Sequence, residues 1–149
     1  MRKGFTLVEI MIVVAIIALL AALTIPNLMR QRLNTNEAAA QHTLQTVSSA
    51  EISYRTANAL YGTLAQLIAA NPAYIDATVA AGAGKQGYVF TDGEAVPTAN
   101  IFSISAVPVT LNQTGARSFC VTDDGVVRVQ ATGAAPGNRA ACMLLPATQ

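Results

Sequence analysis

From Phe5 to Ile25 the chain reads FTLVEIMIVVAIIALLAALTI, a run long enough as a helix to cross a bilayer, and its one charge is the carboxylate of Glu9. An acid facing hydrocarbon is expensive, so it calls for a partner and usually marks function. No basic side chain shares a face with Glu9 within a turn or two. The nearest cations, Arg2 and Lys3, lie in a short stub ahead of the run. An ordinary secretory signal would have a short apolar core and a small-residue cleavage motif; this run is longer and has an acid at its head. A plain single-span anchor would explain the length but neither Gly4-Phe5 nor Glu9. Charge does not orient the span, because Arg2 and Lys3 before it are matched by Arg30 and Arg32 after it.

The stretch Met1-Arg2-Lys3-Gly4-Phe5-Thr6-Leu7-Val8-Glu9, followed by the apolar continuation, resembles the class III signal of type IV pilins and their pseudopilin relatives. The resemblance implies a leader at residues 1–4, cleavage by a prepilin peptidase between Gly4 and Phe5, and N-methylation of Phe5. It implies that residues 5–30 form a membrane-spanning and polymerisation helix, with the C-terminal bulk outside. Cleavage would create an α-amine at the membrane edge, and at a few ångströms an amine and a carboxylate attract strongly in a medium of intermediate dielectric. In the family that amine belongs to a neighbouring subunit, which makes Glu9 a docking charge in assembly. An intramolecular pair one turn away is also geometrically possible, and the sequence leaves both open.

Beyond the apolar run, residues 27–58 contain neither proline nor glycine. Leu33, Glu37, Ala40, Leu44, Val47, Glu51 and Tyr54 recur at spacings of three and four, which predicts an amphipathic continuation over residues 31–58. One helix of roughly fifty residues, about 80 Å long at 1.5 Å per residue, is expected, its front half projecting and its back half lying on a sheet. Pro26 interrupts it, since the ring collides with the Ala22 carbonyl and removes a hydrogen bond at a cost of about 3 kcal/mol. A kink or locally melted turn is expected there; the family resemblance gives that kink a role when the subunit leaves the bilayer. The plainer reading is that Pro26 ends the membrane helix.

Residues 59–149 then form a globular head. A short helix over Leu64 to Ala70 is stopped by Asn71-Pro72, and a glycine and alanine loop follows at Ala80 to Gly87. Strand-like runs cover Tyr88 to Thr91, Ile101 to Val109, Arg117 to Thr122 and Val126 to Gln130. Asp123-Asp124-Gly125 joins the last two as a hairpin turn. The fold class is therefore α+β: a long N-terminal α-helix whose second half packs on an antiparallel sheet of about four strands. The segments GTLAQL and GARSFCVTDDGVVR are similar, more loosely, to type IVa pilins and pseudopilins.

Cys120 and Cys142 are the only cysteines. In a chain routed outside the cytoplasm they are expected to form a disulfide. Closing a loop of about 22 residues is worth about 3 kcal/mol and would pin Gly133 to Leu145, a segment with little structure of its own. In type IV pilins such a loop is the exposed C-terminal region. Two free buried thiols are the alternative.

Other features are weaker. Asp123-Asp124 could bind calcium but reads more simply as a turn, so no metal site is expected. Asn112-Gln113-Thr114 is an acceptor sequon of a kind that arises by chance. His42 is the sole histidine and has no nucleophile arrangement with Ser103 or Ser105; only eight Tyr and Phe residues are scattered along the chain, too few for an obvious conducting stack. Formal charge is +1, and removing Arg2 and Lys3 leaves 7 basic against 8 acidic side chains, or −1, which implies no nucleic-acid face.

The expected function is a structural type IV pilus subunit, not an enzyme and without cofactor. It would wait in the inner membrane among lipid and then polymerise with itself into an extracellular fibre through an inner-membrane assembly machinery. Such fibres serve adhesion, twitching motility or DNA uptake. A type II secretion pseudopilin is the first alternative. A minor pilin binding DNA or a surface ligand is the second, with Arg117, Arg128 and Arg139 as its candidate cations.

Overall fold

A computed structural model describes residues 4–79, 84–94 and 97–148, and it divides into two units at the Arg32 to Leu33 boundary. The Arg2-Lys3 stub and residues 80–83 of the Ala80 to Gly87 loop lie outside the described residues.

The first unit is helical. Helix α1 spans Leu7–Asn58, and within this unit it carries an 18-residue window of mean hydropathy 2.9 with none of its residues buried. Its apolar side chains up to Met29 are exposed on all sides, as in a segment meant for lipid or for other helices rather than for a core of its own. The α-helix is unbroken across Pro26, so no turn is melted; the Ala22 carbonyl loses its helical donor, while Thr24 bonds back to the Leu20 carbonyl at 2.8 Å.

The second unit contains the rest of α1 and the head. Glu37, Ala40, Leu44, Val47 and Glu51, five positions of the predicted stripe, are buried, and Leu33 and Tyr54 at its ends are half-buried. Thr43, Ser48 and Ala50 widen the stripe. α1 ends at Asn58 because Ala59 turns into the left-handed region at φ 61° and donates to the Arg55 carbonyl, the usual geometry of a helix C-terminus.

Four strands form one antiparallel sheet in sequential order: β1 (Tyr88–Asp92), β2 (Ser103–Pro108), β3 (Ser118–Thr122) and β4 (Val127–Gln130). Phe90 lies opposite Ala106, Ala106 opposite Phe119, and Phe119 opposite Val129. Every residue of β3 is buried, so the expected two-fold alternation is absent there. One face of β3 meets the main core, where Ala40, Leu44 and Val47 join Phe119 and Val121. The other is covered through Cys120 by the C-terminal residues. The β3–β4 turn follows the Asp-Gly prediction, with Gly125 at φ +72°.

Two helices complete the head. α2 (Leu64–Ala69) starts in a capping box: Thr63 accepts from the Gln66 N–H and Gln66 accepts from the Thr63 N–H. α3 (Arg139–Met143) lies in the region expected to have little structure, which corrects that expectation: Asn138 caps it by accepting from the Ala141 N–H. Residues 146–148 then run beside β4, with Val129 donating to the Pro146 carbonyl and Thr148 to the Val127 carbonyl, so that edge is covered.

Candidate functional site

Residues 4–6 precede the first helical turn. Gly4 is exposed, with nothing among the described residues beyond its chain neighbours within 4 Å of where a Cβ would stand, and Phe5 is 84% exposed. The Gly4-Phe5 bond therefore lies in open, non-helical backbone.

Thr6 is the N-cap of α1. Its carbonyl accepts the first helical bond from the Ile10 N–H at 3.4 Å, and its hydroxyl accepts from the Glu9 N–H at 3.3 Å. Glu9 answers through Oε2, which accepts from the Thr6 N–H at 2.8 Å and from the Thr6 hydroxyl at 2.6 Å. This reciprocal pattern is a capping box, and the Thr-x-x-Glu spacing of residues 6–9 was its signal in the sequence. Charge alone leaves Glu9 without a near partner; hydrogen bonding gives it one three residues away. The carboxylate is thus aimed at the chain start, with Oε2 gathered on the Thr6 amide and the helix N-terminus favouring its negative charge.

Cys120 on β3 and Cys142 on α3 are joined by a disulfide across 22 residues of sequence, and both are buried. Three further contacts hold the same region. The Arg139 guanidinium clasps the Asp123 carboxylate, the Arg139 N–H donates to Glu94 at 2.9 Å, and Arg128 pairs with Asp124 at 2.5 Å. Hydrogen bonding from Arg128 holds Asp124 down at about 2, and Arg139 likewise lowers Asp123. Both acids of the candidate calcium turn are therefore engaged by guanidinium groups.

Arg117 pairs with Glu37 at 2.5 Å, and the same buried carboxylate accepts from the Ala116 and Arg117 amides. Arg117, Arg128 and Arg139 are thus each ion-paired inside the head, which leaves the DNA-binding alternative without uncommitted arginines at those positions. Asn112 is exposed on a turn at φ 61°. The aromatics form separate pairs, Tyr54 with Tyr74, Tyr61 with Phe102, and Tyr88 with Phe119.

A second cluster of acids was not anticipated. Glu51 is fully buried; its Oε2 accepts from the Gly62 N–H at 3.0 Å, while Oε1 has no hydrogen-bond partner among the described residues. Asp92 on β1 accepts from the Leu64 N–H at 3.1 Å. Burial, with Asp92 nearby, pushes the Glu51 carboxyl up to about 7, and burial raises Asp92 as well. Together these acids fasten residues 62–64 between α1 and the sheet. A side chain at Gly62 would collide with Leu67 and Tyr54, which is why glycine stands there.

An exposed apolar helix headed by an open glycine-phenylalanine bond and a capping acid, followed by an α+β head, is the arrangement these residues build, and its first part is similar to known pilins. Residues 1–25 match the model of the prokaryotic N-terminal methylation motif. Over 35 residues, 24% of this chain, it is 60% identical to the type IV wide pilus major component PilA4 of Thermus thermophilus. Over 71 residues, 48% of this chain, it is 37% identical to the type IV major pilin protein PilA of Myxococcus xanthus. The matched stretches span 27% and 32% of those relatives' own lengths.

Proposed function

We propose that this chain is a structural subunit of a type IV pilus, cut between Gly4 and Phe5, N-methylated on Phe5, and polymerised through its apolar helix. It waits as a single-span precursor in the inner membrane and is drawn into the fibre by a machinery that supplies the energy, so the chain performs no catalysis. The observation that carries this reading is the exposed apolar stretch of α1 beneath the methylation motif, with Glu9 held at the chain start. In the fibre the Phe5 amine of one copy meets Glu9 of the next and sets the stagger. Pro26 weakens the helix where it changes surroundings.

Electron micrographs of cells with and without the chain test the proposal: surface fibres should disappear with it. Intact-mass analysis of a Gly4→Glu variant tests processing. The precursor should keep its full mass, and a normally shortened product would remove the cleavage assignment.

A further inference from the structure

Every arginine of the second unit among the described residues has a partner. Arg117, Arg128 and Arg139 are ion-paired, and Arg55 stacks on Tyr61, 5.0 Å from the ring centre, and donates to its hydroxyl at 3.2 Å. Arg30 and Arg32, at the end of the first unit, are different. Both are exposed, and neither has an intramolecular ion-pair or hydrogen-bond partner among the described residues. The sequence denies them an ion pair within the helix: between Glu9 and Glu37 there is no acidic residue, and positions three and four away from either arginine hold Pro26, Asn27, Leu28, Met29, Leu33, Asn34, Thr35 and Asn36.

Their place fits a lipid surface. From Leu7 to Met29 the helix rises roughly 33 Å at 1.5 Å per residue, close to a hydrocarbon core of about 30 Å, so the arginines follow directly where headgroups begin. Residues two apart on a helix point about 200° from one another. No single flat protein face meets both guanidinium groups, whereas headgroups surround a helix on all sides. Each guanidinium can bond two phosphate oxygens in a fork while its stem lies along apolar chains.

We infer that Arg30 and Arg32 are a two-sided phosphate anchor that binds anionic lipid headgroups at the outer end of the span and fixes the depth of the waiting subunit. This rests on the membrane-precursor reading proposed above. Leu23, Pro26 and Asn27, on the turns before it, line an open recess beside Arg30, where a headgroup can approach.

The full chain is reconstituted into vesicles of equal parts phosphatidylcholine and phosphatidylglycerol, and the lipids retained on it are counted by native mass spectrometry. The wild-type chain should retain phosphatidylglycerol over phosphatidylcholine, roughly fivefold for each arginine. Arg30→Gln and Arg32→Gln should each remove part of the preference and the double variant nearly all of it, while Arg30→Lys keeps most. An unchanged preference in the double variant would overturn the anchor. If that variant also formed no fibres while lipid preference stayed intact, the arginines would instead serve an acid of a second copy. Flotation of the wild-type chain is the separate check on the membrane reading: a chain that floats with neither this mixture nor pure phosphatidylcholine removes that reading and the anchor with it.

Discussion

Glu9 closes the cap of α1, and the docking charge proposed for it is a second job that two substitutions together can separate from the first. A glutamine at the third helical position still closes a capping box, because its amide oxygen accepts from the Thr6 N–H, but it carries no charge. We predict that Glu9→Gln keeps the helix start and abolishes fibres, with processed subunit accumulating in the membrane, and that Glu9→Leu abolishes fibres too while losing the cap. The readouts are fibre counts in micrographs and hydrogen exchange at residues 7–10. Normal fibres in Glu9→Gln would end the docking-charge mechanism and reduce the acid to a cap; normal fibres in both would show that assembly needs neither the charge nor the cap. Gly115 shows what sequence cannot disclose at this scale. A Cβ there would overlap the Tyr88 hydroxyl, which donates to the Arg117 carbonyl at 2.7 Å. Gly115→Ala should destabilise the head by at least 1–3 kcal/mol on the ordinary scale of overpacking, measured by denaturant titration. The Gly4-Phe5-x-x-x-Glu9 pattern is local and could be read from residues alone, whereas the need for glycine at 115 arises from a tyrosine 27 positions away that only the folded chain brings near.

At the scale of elements, the α1 stripe, α2 and the four strands follow from periodicity, β-branched residues and turn chemistry, to within two residues at most ends. α3 does not. RAACM has no amphipathic repeat, and its helix exists because Asn138 caps it, Arg139 is held by Asp123 and Cys142 is tied to β3. Those contacts are tertiary, so no local signal announces them. They also predict the result of cutting the disulfide. Cys120→Ser should loosen the C-terminal region without releasing it, lowering stability by up to about 3 kcal/mol. Limited proteolysis of the variant should leave 139–143 protected, and thiol labelling of native wild-type chains without reductant should be nil.

The Glu51 cluster gives a pH dependence with a definite sign. Its folded value of about 7 lies above the ordinary value of 4.5, so protonation favours the fold. That contribution is full below about 4.5 and is lost as pH rises to about 7. Asp92 on β1 faces it and is raised too, adding to the same trend, while Arg55 on the next turn of α1 is turned onto Tyr61. Asp123 and Asp124 act the other way, and their ion pairs weaken only as the medium becomes strongly acidic. Circular-dichroism melting should therefore show the wild-type chain more stable at mildly acidic than at mildly alkaline pH. Glu51→Gln should flatten that slope, and an equal slope in the variant would assign it elsewhere.

For the molecule as a whole, the partners of Glu37 lie far off in the chain. The buried carboxylate reaches amides 79 and 80 positions later, and the disulfide closes later still. A chain made from its N-terminal end onward, with the part after the span emerging in sequence order, therefore delivers residues 33–58 well before the groups that neutralise Glu37. Until Ala116 and Arg117 emerge, docking the stripe would bury Glu37 without a partner, so the helix must wait undocked. The head is timed by its own connectivity: its first-made element is among the last to be secured, and the interval between is when a protease or a holding chaperone has its opportunity. Stopping the chain after Gly115 should accordingly leave residues 33–58 open to proteolysis, whereas a chain carried through to residue 148 should protect them.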